Sequence, residues 1–119
     1  MKRIPCSFLL IVILFFVQLT ATAQLTDILD FNGTNGAYPQ GTLNLRNDTL
    51  YGMTDGGGTS SSGVVFYVKT NGTGYFDMLN FDDVNGDDVV GAVTLLGNTA
   101  YGMTVAGGLY WASNNGNVF

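Results

Sequence analysis

"YGMTDGGG" (51–58) and "YGMTVAGG" (101–108) write almost the same eight residues twice, fifty positions apart. The echo extends beyond them. Aligned without gaps, residues 27–58 and 77–108 agree at 14 of 32 positions, from Asp27/Asp77, Leu29/Leu79 and Phe31/Phe81 to Gly58/Gly108. After three extra residues the match resumes, "GVVF" (63–66) against "GNVF" (116–119). A period of this length marks a structural unit, because each unit in such an array is one supersecondary motif that buries its apolar surface against the next.

Glycine interrupts every candidate helical stripe, and the runs between read as strands. "TLNLR" (42–46) alternates apolar and polar residues, and "ND" (47–48) turns the chain into "TLYGMT" (49–54). "VVFYVKT" (64–70) is β-branched and aromatic, and "NG" (71–72) leads to "GYFDMLNF" (74–81). The set returns as "AVTLL" (92–96), "TAYGMT" (99–104), "GLYWAS" (108–113) and "NVF" (117–119). "LTDILDF" (25–31) matches the last strand of a unit and is expected to be one. Val64, Val65, Phe66 and Tyr67 are consecutive, as a strand buried on both faces requires. Four antiparallel strands in about fifty residues fit a β-propeller blade held between neighbours, near the kelch period. A β-solenoid or a small sandwich would be all-β too. Solenoid coils are usually shorter, and a sandwich has no need of the echo.

The expected organisation is a signal peptide over 1–23, then a partial propeller over 24–119. Its units run roughly over 32–81 and 82–119, with 25–31 closing a preceding unit. Lys2 and Arg3 precede an unbroken apolar run at 8–17, and Ala21-Thr22-Ala23 gives the small-x-small site for cleavage between Ala23 and Gln24. A signal-peptide helix is expected there. The run is too short for a spanning segment of about 20 apolar residues. The only cysteine, Cys6, would leave with the peptide. The expected location is extracellular or on the cell surface, with no membrane insertion after cleavage.

Downstream of residue 23, Arg46 and Lys69 face nine Asp, a net charge of −7. That excludes the clustered cations of a nucleic-acid interface. There is no His, no Glu and no remaining Cys. Ser-His-Asp and Cys-His catalysis and His-based zinc sites are therefore missing their parts. No catalytic residue and no bound organic cofactor is expected.

The stretch 31–68 resembles the tandem repeat of the choice-of-anchor GloVer-containing proteins, bacterial surface or secreted proteins. Gly36, Pro39, Leu43, Leu50, Tyr51, Gly52, Thr54, Gly57, Gly58, Gly63, Val65 and Phe66 fit that pattern in place. In the second copy Val89 replaces the Pro and Ala100 the Leu. The resemblance implies a propeller-like repeat and export, and it brings no catalytic residues.

Asp82, Asp83, Asn85, Asp87 and Asp88 form the one candidate metal site. Oxygen ligands at this spacing suit Ca²⁺, although Gly86 stands at the fourth place of the run and no Glu follows as in an EF-hand. The first copy carries "FNGTNGAYPQG" (31–41) there, without a carboxylate, so a family turn explains the stretch more simply. Met53 and Met103 read as core filler. The YGMT tyrosines read as packing between blades, and Tyr110 and Trp111 as interblade core or a platform for a sugar. Two blades cannot close a ring. The chain is therefore expected to be a segment of a longer repeat protein and to self-associate through its open faces. The expected function is a non-enzymatic binding or structural role at the cell surface, with a glycan or a protein as ligand. The alternative is the N-terminal part of a secreted carbohydrate-active enzyme or carbohydrate-binding protein.

Overall fold

The computed structural model describes residues 1–3, 23–107 and 115–119. The apolar run 8–17, Cys6 and the whole of "GLYWAS", with Tyr110 and Trp111, lie outside the described residues. Among those described the fold is all-β with no helix, and the sheets close neither a barrel nor a propeller ring.

The first fifty-residue unit is one antiparallel meander. Strands β1 (Asn44–Arg46), β2 (Thr49–Thr54), β3 (Val64–Lys69) and β4 (Phe76–Asn80) pair in chain order. Tyr51 faces Asn44 on one side and Tyr67 on the other. The β3–β4 register slips between Val65 and Phe66, so that Val65 faces Leu79 and Phe66 faces Asp77. The second unit is built from smaller pieces. β5 (Asp87–Val89) pairs with β8 (Thr104–Ala106), and β6 (Thr94–Leu96) pairs with β7 (Thr99–Tyr101).

Three expectations need correction. The stretch 25–31 is not a strand. Its counterpart β4 is held by the edge of β3, and no such edge reaches 25–31 among the described residues, so it joins no sheet. "TAYGMT" is not one strand but two, β7 and β8, parted at Gly102, while "NVF" contributes only the Met103–Val118 bridge. Conversely, β5 forms inside the acidic stretch read as a turn.

Alternate residues of β3 point to opposite faces, as the pleat requires, and both faces are buried. Val64, Phe66 and Val68 form one cluster, packed by Leu29, Phe31, Leu50 and Tyr75. Val65 and Met53 form another with Phe81, Val89 and Val93, which belong to the following unit or to its boundary. This second cluster is a seam between units. Polar bonds run along it. The chain at Thr42 lies parallel to Ala92, Thr42 N–H donates to the Gly91 carbonyl at 3.2 Å, Asn44 Nδ2 donates to the Val93 carbonyl, and Arg46 donates to the Gly97 carbonyl.

Several backbone pairings and aromatic contacts recur in both units. Leu45 faces Leu50 as Leu95 faces Ala100, and Met53 faces Val65 as Met103 faces Val118. Phe31 meets Phe66 edge-on with ring centroids 5.2 Å apart, and Phe81 meets Phe119 edge-on at 5.0 Å. The glycine of YGMT now has a reason. A Cβ at Gly52 would stand 2.7 Å from the Phe66 ring, and one at Gly102 would stand 2.3 Å from the Phe119 ring. Each aromatic lies flush on the backbone where any side chain would displace it. Gly36 and Gly86 are doubly constrained. Their φ angles are 118° and 142°, and a Cβ would strike Thr54 at 2.8 Å or Thr104 at 2.5 Å.

Candidate functional site

The first part of the acidic stretch folds as a turn in which Asp82, Asp83 and Asn85 each have one side-chain oxygen engaged. Asp82 N–H donates to Asn85 Oδ1 at 3.0 Å, and Asn85 N–H donates back to Asp82 Oδ1 at 2.9 Å. Asn85 Nδ2 caps the Asn80 carbonyl at 3.0 Å. Asp83 accepts a 2.6 Å bond from the buried Ser62 hydroxyl. The first unit makes the same turn with an amide in place of the first carboxylate: Asn32 N–H donates to Asn35 Oδ1 at 2.8 Å and Asn35 N–H to Asn32 Oδ1 at 3.2 Å. Asn35 Nδ2 caps the Asp30 carbonyl at 3.0 Å. The turn therefore needs an oxygen acceptor at its first position and no negative charge. Asp87 and Asp88 lie on β5, beyond the Asp82–Asn85 pair in the chain. Among the described residues no three His, Cys, Asp or Glu side chains converge as a metal ion would require. The five candidates thus divide between a hydrogen-bonded turn and a strand.

What β5 does bring together is a charge contact across the seam. Burial raises the Asp55 carboxyl above the ordinary carboxylate range, and the neighbouring Asp88 and Asp87 raise it further. A 3.0 Å bond from Gln40 Nε2 to Asp55 Oδ2 works in the opposite direction. Inside the first unit, the Tyr75 hydroxyl lies 2.7 Å from the Asn35 carbonyl and also against the Asp77 carboxylate. Burial first, and then that carboxylate, keep its phenol protonated well above the usual range.

Among the hollows at the described residues, two bear on the units' faces. A groove of about 320 Å³ opens at the seam, with Arg46, Asn47, Tyr51, Tyr67 and Asn98 along its walls. Tyr51 and Tyr67 pack with ring centroids 5.9 Å apart, and Phe76 stacks behind Tyr67 at 5.4 Å. The groove thus offers two aromatic faces, two amides and one guanidinium. Sequence reasoning passed over it because its residues come from both units and only the tyrosines stood out. The other hollow, about 360 Å³, is apolar and sits on the outer face of the first unit beside Pro39, Leu43, Leu50, Phe66 and Val68. Ala23 and Gln24, the expected cleavage pair, are exposed and outside any strand.

Met53 lies in the core, as expected, but Met103 does not: it is exposed and joins neither apolar cluster of the described residues. Tyr51 packs against Tyr67, whereas Tyr101 is exposed. No protein-family model, no curated protein and no solved structure matches this chain.

Proposed function

We propose that this chain is an exported, non-enzymatic β-propeller repeat segment with a binding or structural role at the cell surface. The seam carries the reading. One face of the first unit's sheet is covered by Val89 and Val93 of the next and by Phe81 at the boundary, while the β1 and β6 regions lie side by side and parallel at Thr42 and Ala92. Blades stacked about an axis place their inner strands in this way. The GloVer-like motif at 36–66 agrees with it, and Lys2, Arg3, the apolar run and the Ala23–Gln24 bond supply the route of export. Expression in a bacterial host tests the export. The processed chain should appear outside the cytoplasm and begin at Gln24. Retention in the cytoplasm with an intact N-terminus would refute export.

A second reading, carbohydrate binding, is favoured by the seam groove. Tyr51 and Tyr67 offer ring faces to a sugar, and Asn47, Asn98 and Arg46 offer donors to its hydroxyls. Titration calorimetry with a panel of neutral and acidic oligosaccharides should detect a ligand whose binding is lost in Tyr51→Ala. Identical heats in the wild type and that variant remove the groove from consideration.

A further inference from the structure

We infer that a second copy of this chain docks head to tail, the first unit of one copy covering the open face of the second unit of the other. The inference rests on the blade reading above and names the partner of that blade's open face. The seam inside one chain joins two different surfaces. One is the Met53–Val65 face of the first unit. The other is the surface that Val89, Val93 and Phe119 of the second make with Phe81 at the boundary. Each surface has a counterpart that is exposed among the described residues. Met103 and Val118 repeat Met53 and Val65, yet they are 63% and 73% exposed against 4% and 2%. On the other side, Leu43 repeats the fully buried Val93 and is 52% exposed, and Pro39 repeats Val89 and is exposed. The apolar hollow lies at this second surface, beside Pro39, Leu43 and Phe66. The two units thus present, one each, the two halves of a contact the chain already makes once internally.

The unpaired stretch 25–31 fits the same arrangement. Its counterpart β4 joins β3 through Val64 facing Asn80, Val65 facing Leu79, and Phe66 facing Asp77. Carried to the second unit, that register sets Asn117 against Asp30, Val118 against Leu29 and Phe119 against Asp27 of the second copy. Leu29 and Phe31 are already seated on the Phe66 cluster of their own unit. The face they help to build would arrive at the other copy with its edge strand in place. Such a contact joins unlike surfaces, so copies add in one direction and form a ring if the rotation closes and a filament if it does not.

Sedimentation of the full chain and of two surface variants, Leu43→Asp and Met103→Asp, tests this. Both side chains are largely exposed, so folding should be spared, and circular dichroism checks that it is. The wild type should sediment above the mass of one chain at tens of micromolar. Each variant alone should stay at one chain, because each has lost one half of the contact. An equimolar mixture of the two should sediment at twice that mass, since each variant retains the half the other lacks. A wild type at one-chain mass, either variant still pairing by itself, or a mixture that fails to pair would each overturn the inference. Val93→Asp keeps the two readings separable by placing a charge in the internal seam. If it leaves the melting temperature unchanged, the blade reading falls. If it lowers it while the wild type sediments as one chain, the head-to-tail contact alone falls.

Discussion

Met53 and Met103 occupy the same place in the YGMT motif of the two units, yet one is 4% exposed and the other 63%. Both face a valine across a bridge, Val65 and Val118. Both follow a glycine on which a phenylalanine ring lies. The difference is what stands opposite. The first unit has the second against it, and among the described residues the second has nothing from its own chain. Burial in this protein belongs to the stacking of units and not to the residues themselves. The hydrophobic effect counts area removed from water, whichever segment removes it.

Methionine truncation offers the largest contrast. Met53→Ala should cost about 2–5 kcal/mol, the range for emptying a filled core site. Met103→Ala should stay within about 0.5 kcal/mol, as exposed substitutions do. Chemical denaturation of both variants checks this, at a dilution where copies do not meet. Comparable losses would mean that Met103 is covered within a single chain, and the comparison would break.

Threonine sharpens it from the other side, since here the units should agree. Thr54 Oγ1 donates to the Gly56 carbonyl at 2.9 Å and accepts from Val64 N–H at 3.2 Å. Thr104 Oγ1 donates to Asn117 Oδ1 and accepts from Asn117 N–H at 2.9 Å. Thr54→Val and Thr104→Val each strand a backbone donor that the hydroxyl satisfies, at about 1–3 kcal/mol apiece. Both threonines are buried although the neighbouring methionines differ, because their bonds are made within their own unit. Denaturation midpoints that shift for Thr54→Val alone would show that the second unit's turn is not held as the first one's is.

This split also explains what the sequence could disclose. Strands β2 and β3 were legible to within a residue, and so was the burial of β3 on both faces, because alternation and consecutive apolar residues are local signals. β5 was not, because "GDDV" carries turn chemistry and pairs only when "TVA" of β8 arrives beside it. Nor was the loss of strand structure at 25–31, which depends on a partner edge that no local pattern records. The bonding inside the acidic run was hidden for a related reason. Ligand spacing counts oxygens along the chain. It does not reveal that Asp82 and Asn85 bond one another's backbone and that Asp83 bonds Ser62. The seam groove assembles Arg46 and Tyr67 with Asn98, positions that no motif length would join.

The smallest effect concerns the position just after YGMT, where the units differ in charge. Asp55 stands where the second unit has Val105. Its neighbours across the seam are Asp87 and Asp88, and its hydrogen-bond donor is Gln40. Because the folded protein holds the Asp55 carboxyl above its ordinary pKa, it binds that proton more tightly than the unfolded chain does. Stability from this group is therefore full below the ordinary carboxylate value and is lost as pH rises through the raised folded value. At neutral pH the ionised carboxylate is a standing cost. Asp55→Asn removes the charge and keeps an oxygen for Gln40, so the melting temperature should rise at pH 7. The gain should vanish as pH falls below the ordinary carboxylate value, where wild-type Asp55 is itself neutral. Thermal melts of the two proteins at pH 7 and in acid decide the matter. An equal shift at both would mean that the new amide acts through packing, and that the carboxylates of the two units do not meet across the seam.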